Sequence, residues 1–144
     1  MLVKIRLFSS FFLISILLWS CNKDQSQIVP YVKVNITANL YYPQFSALNA
    51  PGNAVIFPYE GYNRNGVIIF RNSIEEYTAY DATCPQHIET KTAIKLDDNG
   101  SGGQATCPYC KTVYNFYSYG TASKGYPLQR YNVNISGNVL IIYN

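Results

Sequence analysis

The feature that most constrains the fold of this chain is the shortness of its apolar runs. From Ile28 onward, hydrophobic and β-branched residues form short runs that are separated by Gly, Pro and Asn. In the segment 32–40, VKVNITANL, apolar and polar residues alternate, which is typical of a strand with one buried face. No window shows the 3.6-residue period of an amphipathic helix. The pattern therefore predicts one all-β domain over residues 28–144.

Turn-forming residues divide this domain into further short strands. The segment DDNGSGG at 97–103 and the pair Ser136-Gly137 predict hairpin turns. Antiparallel strands of this length and spacing predict two packed sheets, arranged as a small sandwich or barrel. Besides 32–40, strands are predicted at 53–57, 66–71, 76–81, 91–96, 104–107, 112–116, 128–135 and 138–143.

The N-terminal segment predicts export and lipid anchoring. Lys4 and Arg6 precede an apolar run over 7–19, which is shorter than the about 20 residues of a membrane span. We therefore expect a signal peptide at residues 1–20. It ends in LWSC, which resembles a bacterial lipobox and makes Cys21 the predicted lipidation site. A polar tether follows over 22–27, so the predicted location is the cell envelope, on the periplasmic face or outer surface of the outer membrane, with the membrane as a partner through the lipid.

The charged residues exclude one class of partner and offer no catalytic pair. Lys4 and Arg6 leave with the signal peptide, so nine basic residues face eight acidic ones. No basic stripe is present to bind phosphates, so we expect no nucleic-acid partner. The acidic pairs 75–76 and 97–98 are adjacent in sequence, and adjacent residues on a strand point to opposite faces. These acidic pairs are therefore predicted to be solvated surface and turn residues, and the charged residues favour a binding role over an enzyme.

The remaining cysteines and the one histidine fall into two short motifs. Cys84-Pro-Gln-His87 is followed, after nineteen residues, by Cys107-Pro-Tyr-Cys110. A two-residue spacer lets both side chains of each motif reach a single ion. Cys84, His87, Cys107 and Cys110 are therefore the predicted metal ligands.

Two other interpretations of the cysteines stay open. A disulfide could join Cys107 to Cys110, or one of them to Cys84, although a ring closed by Cys-x-x-Cys is short and stabilises little. Cys-Pro-Tyr-Cys is also the active-site tetrapeptide of glutaredoxin-like thiol-disulfide oxidoreductases. Those enzymes lower the pKa of the first cysteine at a helix N-terminus, whereas strand-forming residues follow Cys110 here.

The sequence around both motifs resembles the Rieske iron–sulfur domain family, and in particular Rieske-like lipoproteins of the Bacteroidetes type. The resemblance runs from about Tyr62 to the C-terminus, through GVIIFRNSIEEYTAYDATCP, QATCPYCKTVYNF, GTASKGYPLQRYNVNISG and NVLIIYN. It implies a Rieske-like antiparallel β fold in which two hairpin loops hold a 2Fe-2S cluster. It also implies electron transfer with a redox partner, and it places Cys84 and Cys107 on one iron.

The ligand set departs from the family at two positions. His87 stands one residue late, so the loop must bulge at Gln86 for the ring to arrive, and Cys110 replaces the second histidine. Three thiolates and one imidazole imply a low-potential cluster. The same set is an ordinary structural zinc site, so a zinc-binding or metal-free binding lipoprotein stays open. Gly125-Tyr126-Pro127 is all that remains of the family's proline-rich cover over the cluster.

Overall fold

A computed structural model describes residues 28–144 of the chain. The predicted signal peptide at 1–20, the predicted lipidation site Cys21 and the tether 22–27 lie outside the described residues and stay predictions. Within the described part of the chain, no helix has the length and apolarity needed to cross a membrane.

Residues 28–144 form short strands joined by turns and short 3₁₀ helices. The strands are β1 (Asn35–Asn39), β2 (Ala54–Phe57), β3 (Val67–Arg71), β4 (Tyr77–Asp81), β5 (Lys95–Leu96), β6 (Gln104–Thr106), β7 (Val113–Asn115), β8 (Thr121–Ala122), β9 (Arg130–Ser136) and β10 (Val139–Tyr143). The 3₁₀ helices span Pro43–Asn49, Tyr62–Arg64, Ile88–Thr90 and Asp97–Gly100.

The strands form two antiparallel sheets. The larger sheet has the order β1-β10-β9-β4-β3-β2 and the smaller one β5-β6-β7-β8. Every strand pairing among the described residues is antiparallel, which confirms the predicted all-β, antiparallel, two-sheet architecture. The predicted turns at 97–103 and at Ser136-Gly137 join β5 to β6 and β9 to β10.

Strand β3 belongs to both hydrophobic cores of the domain. Its residues from Val67 to Phe70 are completely buried. Ile68 and Phe70 pack between the two sheets, together with Cys84, Cys107 and residues of β7. Val67 and Ile69 pack on the opposite face, in a core that the larger sheet forms with the 3₁₀ helix Pro43–Asn49. Because successive side chains of a strand alternate in direction, a continuous apolar run serves both cores.

Two short strands depart most from the prediction, for a common reason. Of the strand predicted at 91–96, only Lys95–Leu96 is a strand, because Lys91 ends a 3₁₀ turn in the left-handed conformation with φ 51°. Ala93 contributes one isolated bridge to Thr83. Conversely, Thr121–Ala122 forms β8, which the sequence pattern does not predict as a strand. Tertiary contacts decide such short segments, since two-residue strands have no pattern of their own.

The double burial of β3 predicts a large cost for removing a side chain there. We expect Ile69→Ala to lower the free energy of unfolding by about 2–5 kcal/mol, because the cavity in the core cannot fully close. The measurement is chemical denaturation of the full chain. Ile141→Ala is the matched control: it lies on β10 with 36% of its surface exposed and should cost about 1 kcal/mol or less. Equal costs for the two variants would contradict the central role of β3.

Candidate metal centre

The first cysteine motif lies in a loop whose ends are joined by backbone hydrogen bonds. The Cys84 N–H donates to the Thr92 carbonyl at 2.9 Å, and the Ile94 N–H donates to the Ala82 carbonyl at 2.8 Å. The 3₁₀ turn Ile88–Thr90 forms the tip. We call residues 84–92 loop one. Its hydrogen-bonded ends fix the position of Cys84, whereas the tip carries His87.

A buried carboxylate supports the base of loop one. Asp81 ends β4 and is completely buried. Its oxygens accept hydrogen bonds from the Tyr131 hydroxyl at 2.6 Å, the Tyr62 N–H at 2.6 Å and the Thr83 N–H at 2.8 Å. A buried carboxylate needs such donors to offset its desolvation. Asp81 thereby joins β9, the β2–β3 connection and the start of loop one.

The second cysteine motif forms a tight turn between β6 and β7. The Lys111 N–H donates to the Cys107 carbonyl at 2.9 Å, and the Cys107 N–H donates to the Thr112 carbonyl at 3.0 Å. Lys111 takes the left-handed conformation with φ 59°, which closes the turn. We call residues 107–112 loop two. Both of its cysteines are presented from one compact turn, as the two-residue spacer predicts.

The two loops bring three thiols together. The sulfur atoms of Cys84, Cys107 and Cys110 all lie within 4.8 Å of one another, and the Cys84 and Cys110 sulfurs are 3.7 Å apart. All three cysteines are free. Cys84 and Cys107 are buried, whereas Cys110 is partly exposed. The thiols therefore form one pocket that is open to solvent on the Cys110 side, and their spacing allows them to bind a metal.

His87 does not belong to this group of donor atoms. Its Nδ1 lies 3.3 Å from a carboxylate oxygen of Glu89, and its ring packs edge-on against Tyr109 with 5.1 Å between ring centroids. The side chain is on the surface. Its role as a fourth ligand stays a prediction and would require the ring to turn away from Glu89.

The environment of Cys84 favours the protonated thiol. Burial raises the pKa of Cys84 to about 12, with a further rise from the neighbouring Cys107 and Cys110. Hydrogen bonds from the Tyr114 hydroxyl, 3.3 Å from the sulfur, and from the Gln86 N–H act in the opposite direction. Burial also raises the pKa of Tyr114, so its hydroxyl keeps a proton to donate. A metal that binds Cys84 must therefore displace the thiol proton, which couples binding to pH.

The environment of Cys110, in contrast, favours the thiolate. Burial acts to raise its pKa, but hydrogen bonds from the Thr112 side chain and backbone, from Cys107 and from Cys84 outweigh burial and lower the pKa to about 7. The Cys110 thiol donates to the Thr112 hydroxyl oxygen at 3.1 Å. Once the thiol has lost its proton, the Thr112 hydroxyl donates to the thiolate instead, which is the direction that lowers the pKa of Cys110. The pocket thus pairs a thiol that holds its proton with one that releases it near neutral pH.

Gln86 connects loop one to the segment Gly125-Tyr126-Pro127, the cover segment. Its amide nitrogen donates to the Tyr126 carbonyl at 2.6 Å, and its amide oxygen accepts from the Tyr126 N–H at 3.1 Å. Gly125 has a positive φ of 78°, which favours glycine, and a Cβ there would meet the Gln86 amide and force that side chain to shift. The extra residue of loop one is therefore the residue that binds the cover segment.

The surroundings of Cys107 do not support the thiol-oxidoreductase interpretation. The first cysteine of such a tetrapeptide must be accessible to its substrate, yet Cys107 is completely buried. Loop two continues into β7 and not into a helix. No helix dipole therefore acts on Cys107.

Sequence reasoning missed three residues of the site: Gln86, Thr112 and Tyr114. Thr112, Tyr114 and Phe116 are all completely buried, which is the two-residue period of one strand face. That period was visible in KTVYNF, and it places the Thr112 and Tyr114 side chains on the face that carries the thiols. Nothing in the sequence signalled the contact of Gln86 with a segment forty residues away.

Comparisons with known proteins give remote structural likenesses. The sequence matches no protein-family model and no curated protein. The fold is similar to that of the ferredoxin of carbazole 1,9a-dioxygenase from Nocardioides aromaticivorans, with 16% identity, a TM-score of 0.45, and coverage of 78% of this chain and 97% of that one. A chain in the complex of reduced oxygenase and oxidized ferredoxin of carbazole 1,9a-dioxygenase gives 14% identity, a TM-score of 0.47, and coverage of 79% and 94%. A small subunit assigned to an NADH-dependent nitrite reductase of Mycobacterium tuberculosis gives 13% identity, a TM-score of 0.44, and coverage of 79% of this chain and 97% of that one. Likeness at this level carries no conclusion about chemistry.

The hydrogen bond from Thr112 predicts a shift in the reactivity of Cys110. In the metal-free chain, alkylation of Cys110 by iodoacetamide should rise with pH around a midpoint near 7, because only the thiolate reacts. Thr112→Val removes the hydroxyl donor, which should raise the pKa and move the midpoint to higher pH. Peptide mass spectrometry measures the alkylated fraction. Thr121→Val, an isosteric change on β8, is the control, and an unchanged midpoint in Thr112→Val would show that the hydroxyl does not act on Cys110.

The amide pairing of Gln86 predicts a change in the order of the cover segment. Gln86→Ala removes both hydrogen bonds to Tyr126, so the Tyr126 amide hydrogen should exchange with solvent about tenfold faster or more. Hydrogen exchange measured by NMR tests this. The Leu128 amide, which donates to Gly120, is the internal control, and Gln104→Ala is the matched variant. Unchanged exchange at Tyr126 would mean that other contacts order the segment.

Proposed function

We propose that this domain is a metal-binding module in which Cys84, Cys107 and Cys110 hold one metal ion, and that with iron bound it transfers electrons in the cell envelope. The observation that carries the proposal is the convergence of three sulfur atoms within 4.8 Å from two separate loops. Thiolates are preferred ligands of zinc and iron. The predicted lipid on Cys21 would anchor the module to the outer membrane, where a redox protein of unknown identity is the proposed partner.

The spacing of the sulfurs fits one tetrahedral ion. With metal–sulfur bonds of about 2.3 Å, two ligands of a tetrahedral ion lie about 3.8 Å apart. The Cys84 and Cys110 sulfurs are 3.7 Å apart. Loop one and loop two therefore need little rearrangement to bind an ion between them. The fourth coordination position of the ion would be filled by His87, once its ring has turned toward the sulfurs, or by water.

The same spacing fits a 2Fe-2S cluster poorly. The family resemblance assigns Cys84 and Cys107 to one iron and Cys110 to the other, and the sulfides of a cluster lie between ligands of different irons. At 3.7 Å, the Cys84 and Cys110 sulfurs are too close for that arrangement. His87, the other proposed ligand of the second iron, is outside the group. A cluster would require the two loops to move apart.

An iron ion in this pocket supplies one-electron redox chemistry. The chain's own residues contribute its setting: the buried Cys84 and Cys107 exclude water, and the partly exposed Cys110 lies on the side from which a partner can approach. The Tyr114 hydroxyl beside the Cys84 sulfur donates a hydrogen bond that withdraws charge from the thiolate. Electron transfer at a site so placed needs no substrate pocket.

Structural zinc is the second candidate. Three thiolates with one further ligand are an ordinary structural zinc set, and zinc requires no redox partner. The observation that favours it is the position of the thiols, which join two hairpin loops at one end of the core between the sheets. In this case the metal stabilises the loops, and the surface around them binds an unknown partner.

Metal and acid-labile sulfide content of the full chain, purified in detergent without oxygen, tests the proposal. We expect about one iron per chain, no sulfide and reversible redox bleaching of the visible spectrum. Cys110→Ala should lose the metal, because it removes one of the three donor sulfurs. One zinc per chain and no colour would support the structural alternative.

Two results would contradict the proposed single-ion site. Two irons and two sulfides per chain would establish the cluster that the family resemblance implies, and a chain without metal would remove the function altogether. Tyr109→Phe is the matched control, because it changes an exposed neighbour of Cys110 without removing a sulfur. His87→Ala distinguishes the fourth ligand: loss of metal assigns it to His87, and retention assigns it to water.

A further inference from the structure

The three thiols of the pocket differ in access and in spacing. Cys110 is partly exposed, whereas Cys84 and Cys107 are buried. An oxidant from solvent therefore meets Cys110 first. The Cys84 sulfur, on the other loop, lies 3.7 Å from the Cys110 sulfur, and the Cys107 sulfur lies within 4.8 Å of both.

We propose that the metal-free chain forms a reversible disulfide between Cys84 and Cys110, which joins loop one to loop two and leaves Cys107 as a thiol. The inference concerns the chain without metal, so it stands or falls independently of the proposed function. It differs from a ring within Cys-Pro-Tyr-Cys, because the bond crosses between the loops.

The geometry favours the bond between the loops over the ring within loop two. A disulfide requires about 2.0 Å between sulfurs, so the Cys84 and Cys110 sulfurs have to approach each other from 3.7 Å. Cys84 and Cys107 are equally buried, and backbone hydrogen bonds hold both loops. The contact at 3.7 Å between the Cys84 and Cys110 sulfurs is therefore the observation that selects Cys84 as the partner of Cys110.

Thiol–disulfide exchange with a small disulfide, such as oxidised glutathione, balances the reaction. The Cys110 thiolate attacks one sulfur of the glutathione disulfide, which forms a mixed disulfide and releases one glutathione thiolate. The Cys84 sulfur, after losing its proton, attacks the Cys110 sulfur and releases the second glutathione. Two protein thiols lose two electrons and two protons in total, and one oxidised glutathione becomes two reduced molecules.

The disulfide and the metal exclude each other. Two of the three donor sulfurs become a disulfide and can no longer bind an ion as thiolates. The remaining thiol, Cys107, is buried and offers a single donor. In an oxidising envelope the pocket therefore has two closed states, one around a metal and one through a sulfur–sulfur bond.

Disulfide mapping of the full chain tests the inference. The chain in detergent is stripped of metal with a chelator, exposed to oxidised glutathione, quenched with acid, alkylated and digested with trypsin. Trypsin places Cys84 on peptide 72–91, and Cys107 and Cys110 together on peptide 96–111. We expect peptide 72–91 linked to 96–111 through Cys110 as the main product, with Cys107 alkylated, and full reversal by dithiothreitol. A main product with the bond inside 96–111, or three thiols left after oxidation, would overturn the proposal.

Two cysteine variants and the addition of zinc make the test more specific. Cys107→Ser should oxidise within about twofold of the parent rate, whereas Cys110→Ser should be at least about tenfold slower, because it removes the accessible thiol. Equal slowing in both would assign the reaction to Cys107 and contradict the proposed pair. Excess zinc before the oxidant separates the two proposals. If the disulfide forms at the same rate with and without zinc, metal binding is refuted and the proposed disulfide stands. If the chain binds zinc but forms no disulfide after the zinc is removed, metal binding stands and the proposed disulfide is refuted.

Discussion

Burial of strand β3 on both faces is the constraint on which the rest of this domain depends. Ile68 and Phe70 fill the core between the sheets, and Val67 and Ile69 fill the core on the opposite face. A strand buried in this way cannot slip by one residue without exchanging the side chains of two cores. The register of β3 with its neighbours β2 and β4 is therefore fixed. The smaller sheet packs against the face of β3 that carries Ile68 and Phe70, and it brings loop two to loop one.

The thiol pocket is a continuation of the core between the sheets. Cys84 and Cys107 are members of that core, packed among the same residues as Tyr114. Hydrogen bonds at the ends of the two loops, rather than regular strands, hold the sulfurs in place. This explains the contrast between a buried thiol whose pKa is raised and a partly exposed thiol whose pKa is lowered. Cys84 lies inside the core, where burial raises its pKa. Cys110 lies at the edge of the core, where it reaches solvent and the Thr112 hydroxyl.

The proposed metal binding and the proposed disulfide depend on the same geometry. Sulfurs close enough to share a tetrahedral ion are also close enough to react with each other once the ion is gone. Gln86 adds a further contact at this site, because its amide hydrogen-bonds the cover segment to the loop that carries Cys84. Gln86 thus has a structural role of its own, whatever the position of the His87 ring.

The sequence by itself determined the strand class, most strand positions and the three cysteines that meet. These follow from local rules: the two-residue period of 32–40, the continuous apolar run of β3, turn residues between runs, and a spacer that lets both cysteines of loop two reach one point. Only the tertiary structure decided which thiols are in contact, which one reaches solvent, and that His87 faces Glu89 and Tyr109. It also decided that Gln86 binds a backbone segment forty residues away. Side-chain direction at a loop tip depends on a single 3₁₀ turn and on packing between distant segments, and neither has a periodic signature in the sequence.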